Sequence, residues 1–245
     1  MTHIFFIAAF LFLSLSGASF AQTAACDVSQ KTCVIETLLK EAEKIENVSW
    51  QSQTYREAAK TLAGLGLTDQ AIALVDLIKS PDTQALTIRG IGMAAAGLGL
   101  SPEDEAKVFK QLRAKADTIV HPPSFAIALT YIAMAQAFGE DDDGAWKTAS
   151  EMKNDALRNK AYGETAEIQA EFGKFDAAMK SISFINTSSF RNKAYETVSQ
   201  ILSDHGYYQH AYDAAQPISN AYKKAEAVQY LLNKQYKESE DTPAP

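Results

Sequence analysis

Five glycines, Gly66, Gly99, Gly139, Gly173 and Gly206, each follow an apolar helical stretch, and they recur at a near-constant step of thirty-three to forty positions. A recurrence of this length marks a stacked array of helical hairpins, because one hairpin cannot bury its own apolar face. Such an array points to binding rather than catalysis and leaves the partner unnamed.

Each glycine reads as the turn between a helix before it and a helix after it. Eleven positions back stand Tyr55, Ile88, Ala128, Tyr162 and Tyr195, and eight back Ala58, Ile91, Tyr131, Thr165 and Val198. Seven back are Ala59, Gly92, Ile132, Ala166 and Ser199, and four back Leu62, Ala95, Ala135, Gln169 and Leu202. These offsets share one helical face, with small residues where a neighbouring helix would approach closely. Forward of the glycines, Ala71, Ala178 and Ala211 are followed seven positions on by Ile78, Ile185 and Ile218, again one face. Ser80-Pro81-Asp82, His121-Pro122-Pro123-Ser124 and Asn154-Asp155 supply helix stops and N-caps between units. No sustained two-residue alternation occurs. The expectation is all-α: an α-solenoid of about five helix-turn-helix repeats, with an N-terminal half-repeat over Thr32 to Val48 and a C-terminal capping helix over Ala225 to Tyr236. The second unit is longer than the rest, which predicts an extended second helix over Pro102 to Val120.

Residues 1–21 read as a secretory signal. Ile4 to Leu15 is an apolar run too short to span a bilayer comfortably, and Ser19 and Ala21 supply small residues for cleavage after Ala21. The segment before that run lacks Lys and Arg, which leaves an uncleaved anchor or a buried N-terminal helix as the alternative. Cys26 and Cys33 are the only cysteines, and in an oxidising compartment they are expected to pair, tying residues 22–34 to the first helix. A redox site fits the spacing less well, because it is not a CxxC pair, and a lipidated Cys26 would need a better lipobox than Thr23-Ala24-Ala25. Residues 237–245 (KESEDTPAP) read as a disordered acidic tail. With a net charge of −7 and scattered Lys and Arg, nucleic acid is excluded as a partner. The expected location is periplasmic or secreted, with no stable membrane insertion after cleavage.

No nucleophile elbow, zinc-protease motif or phosphate-binding glycine loop is present. No enzymatic activity, cofactor or metal is therefore expected. Three local clusters invite other readings. Glu140-Asp141-Asp142-Asp143-Gly144 lacks the alternating ligands of a calcium loop and reads as a solvated turn with an N-cap. Asp204, His205 and His210 flank the last turn and read as exposed turn residues rather than a metal site. Tyr207, Tyr208 and Tyr212 form a partner patch or, for Tyr208, part of the core.

The pattern resembles the tetratricopeptide repeat over residues 35–236. The early aromatic of its first helix corresponds to Tyr55, Tyr162 and Tyr195, and the small residue four later to Ala59, Ala166 and Ser199. Its turn glycine corresponds to Gly66, Gly173 and Gly206, and the small residue of its second helix to Ala71, Ala178 and Ala211. The second and third units depart from the pattern, with Ile88 and Ala128 for the aromatic and Ile132 for the small residue. The resemblance implies a concave groove that binds peptide segments, with groove positions thirteen, ten, six and three before each glycine. These include Gln53, Arg56 and Lys60, then Arg89 and Met93, then Leu129 and Gln136. Lys160 and Glu167 follow, and last Lys193, Glu196 and Gln200. Arg56, Lys60 and Arg89 would form a basic stripe suited to an acidic peptide or a C-terminal carboxylate, while Glu167 and Glu196 acidify the far end. The implied function is an interaction scaffold for a protein or peptide segment. The alternatives are a homo-oligomeric structural module and a small-ligand-binding protein of the envelope.

Overall fold

The computed structural model describes residues 26–241, so the expected signal segment and its cleavage site lie outside the described residues. Among the described residues there are twelve α-helices and no strand. Long and short helices alternate. The long ones are α2 (Val48–Gly64), α4 (Pro81–Ala96), α6 (Pro122–Phe138), α8 (Asp155–Glu171) and α10 (Ser188–Asp204). The shorter ones that follow are α3 (Thr68–Ala73, continued by a 3₁₀ turn over Leu74–Leu77), α5 (Pro102–Ala116), α7 (Asp142–Ser150), α9 (Phe175–Ser183) and α11 (Tyr208–Ala215). At the ends stand α1 (Lys31–Ala42) and α12 (Ala221–Asp241).

Local chemistry sets these boundaries. The Asn47 side chain accepts from the amides of Ser49 and Trp50 to start α2. Ser80 and Ser101 cap α4 and α5 ahead of prolines, whose missing N–H costs nothing in a first turn. Four long helices close through glycines with φ of +79° (Gly66), +63° (Gly99), +69° (Gly173) and +75° (Gly206). After Gly66, Gly173 and Gly206 the next amide reaches back to the helix, as Lys174 N does to the Gln169 carbonyl at 2.8 Å. These are Schellman closures, in which the left-handed residue lets the chain satisfy the last carbonyls.

The third turn corrects the sequence reading. Gly139 has φ −80°, and it is Glu140, at φ +67°, that takes the left-handed position. Asp141 N then bonds the Gln136 carbonyl at 2.8 Å, as at the other closures. Counted on the left-handed residues, every interval but the second becomes the same. Gly139 is glycine for another reason: a β-carbon there would overlap the Glu105 carboxylate and stand 3.2 Å from the Ala96 methyl. The third unit shifts by one position. Its small position becomes Ala133, fully buried like Ala59 and Ala166, so the departure read at Ile132 disappears. Its aromatic position becomes Leu129. The extra length lies in α5, ahead of Ile119.

Each long helix packs against the next long helix in chain order and against its own short partner. Close approach needs the small residues: a β-carbon on Gly92 of α4 would lie 2.9 Å from that of Ala135 in α6. Ile88, Ile91, Leu112 and Ile132 fill the space between and are almost completely buried, each contributing about 1.5–3 kcal/mol. Polar contacts recur with the same period. Gln136 accepts from the Thr148 hydroxyl at 2.7 Å, and Gln169, thirty-three positions later, accepts from Ser181 at 2.6 Å. Asn159 binds Asn186 and Thr187, and Asn192 binds Ser219. Near the start of the long helices, Gln84, Arg158 and Arg191 each donate to the carbonyl six positions back (Ile78, Met152 and Ile185), and Gln51 donates to Ala42. In α6 the equivalent residue is Phe125, which has no side-chain donor.

At the N-terminal end α1 packs on α2, and Cys33 in its first turn stands at disulfide-bonding distance from Cys26, with α-carbons 5.7 Å apart. At the other end α12 packs on α10 and α11 and continues to Asp241. The stretch expected as a tail is thus helical as far as it is described. No helix of the described residues is long and apolar enough to cross a membrane.

Candidate functional site

Arg56 and Lys60 lie one turn apart on α2, and Arg89 and Met93 one turn apart on α4. The packing of these two helices brings all four together around one cavity of about 430 Å³, with Leu86 and Phe138 in its apolar wall. Gly90 keeps the floor low opposite the Lys60 stem, its α-carbon facing Lys60 Cβ and Cγ. The cavity lining includes no carboxylate. Arg56 donates to Gln53 Oε1 at 3.3 Å, and its one carboxylate contact is a long one with Glu57, at 3.8 Å. The Arg89 guanidinium lies 5.2 Å from the centre of the Tyr131 ring, an arrangement that leaves its hydrogen-bond fork available. Three cations over an apolar floor, on a chain of net charge −7, make a local site for an anion attached to an apolar group.

The remaining residues of the predicted groove separate. Lys160, Glu167 and Lys193 line a smaller depression of about 170 Å³ between α8 and α10, with Phe190 at its edge. Burial, with Glu164 alongside, pushes the Glu167 carboxyl above the usual carboxylate range. Glu196 lies with Gln200 in a third depression, toward α12. Its carboxylate is nearly buried and accepts from Lys223 at 2.8 Å, with Lys193 at 3.8 Å. Glu196 is therefore already engaged by two lysines of the same chain. Leu129 and Gln136 are buried and leave the groove altogether. In the corrected register Thr130 and Ala137 take those two places, and both are buried as well. Leu86 completes the wall from a position the sequence offsets also reach, since it stands thirteen places before Gly99.

The three local clusters have structural partners. Asp141 caps α7 through the Gly144 amide, and Glu140 and Asp142 flank Lys174 at 2.8 and 3.6 Å. Asp204 holds Tyr230 and Lys234, His205 pairs with Glu171 at 2.7 Å, and His210 stacks on Phe175. The three last-turn residues thus face different neighbours. Tyr208 packs against the core, whereas Tyr207 and Tyr212 are about half exposed.

No protein-family model matches the chain, and no curated protein is significantly similar to it.

Proposed function

We propose that residues 35–236 form a tetratricopeptide-like α-solenoid that acts as an interaction scaffold, holding an acidic segment of another protein against α2 and α4. The convergence of Arg56, Lys60, Arg89 and Met93 on one cavity without a lining carboxylate carries this reading. The regular recurrence of the left-handed turns and of the Gln136–Thr148 and Gln169–Ser181 bonds supports the solenoid. Export to the periplasm or beyond belongs to the same reading and draws on the Cys26–Cys33 pair.

The test is a photo-crosslinker at Arg89 in the mature protein expressed in cells, with one at Asp76 in the 3₁₀ turn as control. A single protein captured from Arg89 alone, and lost in the Arg56→Ala/Lys60→Ala background at unchanged melting temperature, is the expected result. Capture that survives both substitutions removes the groove assignment.

A further inference from the structure

A second cavity, of about 560 Å³, lies away from this site between the start of α6 and the α7–α8 connection, with Arg113 of α5 at its edge. It coincides with the one break in the polar pattern of the long helices. At four junctions a Gln or Arg side chain crosses to the carbonyl that ends the preceding helix pair (Gln51, Gln84, Arg158 and Arg191). Phe125 stands at the corresponding place here and cannot donate. Its ring, with Leu129, Met152 and Leu157, forms the walls. Pro122 and Pro123 stiffen the entry to α6 beside them.

The mouth is polar and holds two cations. Arg113 and Lys153 line it against a single carboxylate, Glu151. Arg113 bonds Glu151 at 3.0 Å and Asp117 at 3.4 Å while its guanidinium stands 5.7 Å from the centre of the Phe125 ring, so these two acids hold it at the edge of the apolar wall. An open apolar cavity of this kind leaves surface in water at about 25 cal/mol per Å². A cavity of a few hundred Å³ with apolar walls and few convergent polar groups is the form of a small-molecule site. Departures from an otherwise consistent local pattern concentrate at functional positions.

We propose that this cavity binds a small amphipathic anion, its aromatic or branched apolar body against Phe125, Ala126 and Leu157 and its charged group at Arg113 and Lys153. The site is separate from the α2–α4 groove and does not rest on the scaffold reading.

Anilinonaphthalene sulfonate is a suitable probe, and phenyl-naphthylamine is its uncharged counterpart. Titration calorimetry of the full mature chain is expected to show one sulfonate bound per molecule. Ala126→Trp fills the cavity, and Phe125→Gln restores the residue type found at the equivalent place in α2 and α4. Each should weaken the sulfonate by about ten-fold or more, while Phe125→Gln keeps the melting temperature. Arg113→Met should weaken the sulfonate by about five-fold or more and leave phenyl-naphthylamine within about two-fold. Arg56→Ala/Lys60→Ala/Arg89→Ala should leave both unchanged. The proposal is overturned if the wild-type chain binds no sulfonate, or if Phe125→Gln, folded, binds it as the wild type does. It is equally overturned if the groove variant abolishes binding.

Discussion

The Tyr207 ring lies against the α-carbon of Gly173, where a β-carbon would stand 3.2 Å from the tyrosine Oη and 3.3 Å from Cε2. Gly173 therefore meets two constraints at once, a left-handed φ of +69° and a close neighbour. Gly66 meets only the first, at φ +79° with open space around it. Gly66→Ala is expected to cost about 1–2 kcal/mol, the backbone penalty alone. Gly173→Ala should cost more, and the excess should vanish in a Tyr207→Ala background. Chemical denaturation of the four variants checks this, and equal costs at Gly66 and Gly173 would refute the contact.

Glu140 is the converse case, the only residue other than glycine with positive φ among the described residues. Replacing it by glycine relieves a backbone cost of about 1 kcal/mol. It also removes an exposed pair with Lys174, which is worth about 0–1 kcal/mol and is weakened by salt. Glu140→Gly should hold or raise stability, with the gain growing as salt is added. A loss of stability that persists in high salt would count against the assigned turn.

Asn159 is almost completely buried and ties α8 to the next connection through three bonds. Its amide donates to Asn186 Oδ1 at 2.8 Å and to Thr187 Oγ1 at 3.0 Å, and its carbonyl accepts from Asn186 N at 3.2 Å. Alanine there removes three hydrogen bonds from an almost fully buried site, so a cost of about 2–3 kcal/mol is expected. Asn192→Ala removes the related bonds to Ser219 at a wetter place and should cost less. Hydrogen exchange should show the Asn159 variant opening first around 185–190.

The contrast between Gly139 and Glu140 shows how far the chain was legible in one dimension. The α-helical periodicity, the turns at Gly66, Gly99, Gly173 and Gly206 and the capping residues follow from local chemistry, which a sequence displays directly. Gly139 misled because it is glycine for a tertiary reason, the packing of Glu105 from α5. A left-handed glutamate has no local signature. Its only trace is the period itself, since the interval from Gly173 to Gly206, counted back from Gly173, falls on Glu140. That slip carried Leu129 and Gln136 into the expected groove and hid the equivalence of Phe125 with Gln84 and Arg158. Arg56, Lys60, Arg89 and Met93 do line one cavity, since they precede Gly66 and Gly99, two turns that the spacing places correctly. The ion pairing of Glu196 with Lys223 was illegible, because it depends on how closely α12 packs on α10.

Glu167 offers a titration test of the α8–α10 depression. Burial is the main cause of its raised carboxyl pKa, with Glu164 adding repulsion and Lys193 opposing it. A folded pKa above the unfolded value means that the native state holds the proton more tightly. Its ionisation therefore lowers stability as pH rises from the unfolded value through the folded one. Below both values the group is neutral in either state and costs nothing. Glu167→Gln, which stays neutral throughout, should thus be more stable than wild type at neutral pH. The advantage should shrink on acidification and disappear below the ordinary carboxylate range. Urea midpoints across that window give the answer. An advantage independent of pH would assign the effect to packing, and a variant less stable at neutral pH would show that the Lys160 and Lys193 charges outweigh the burial.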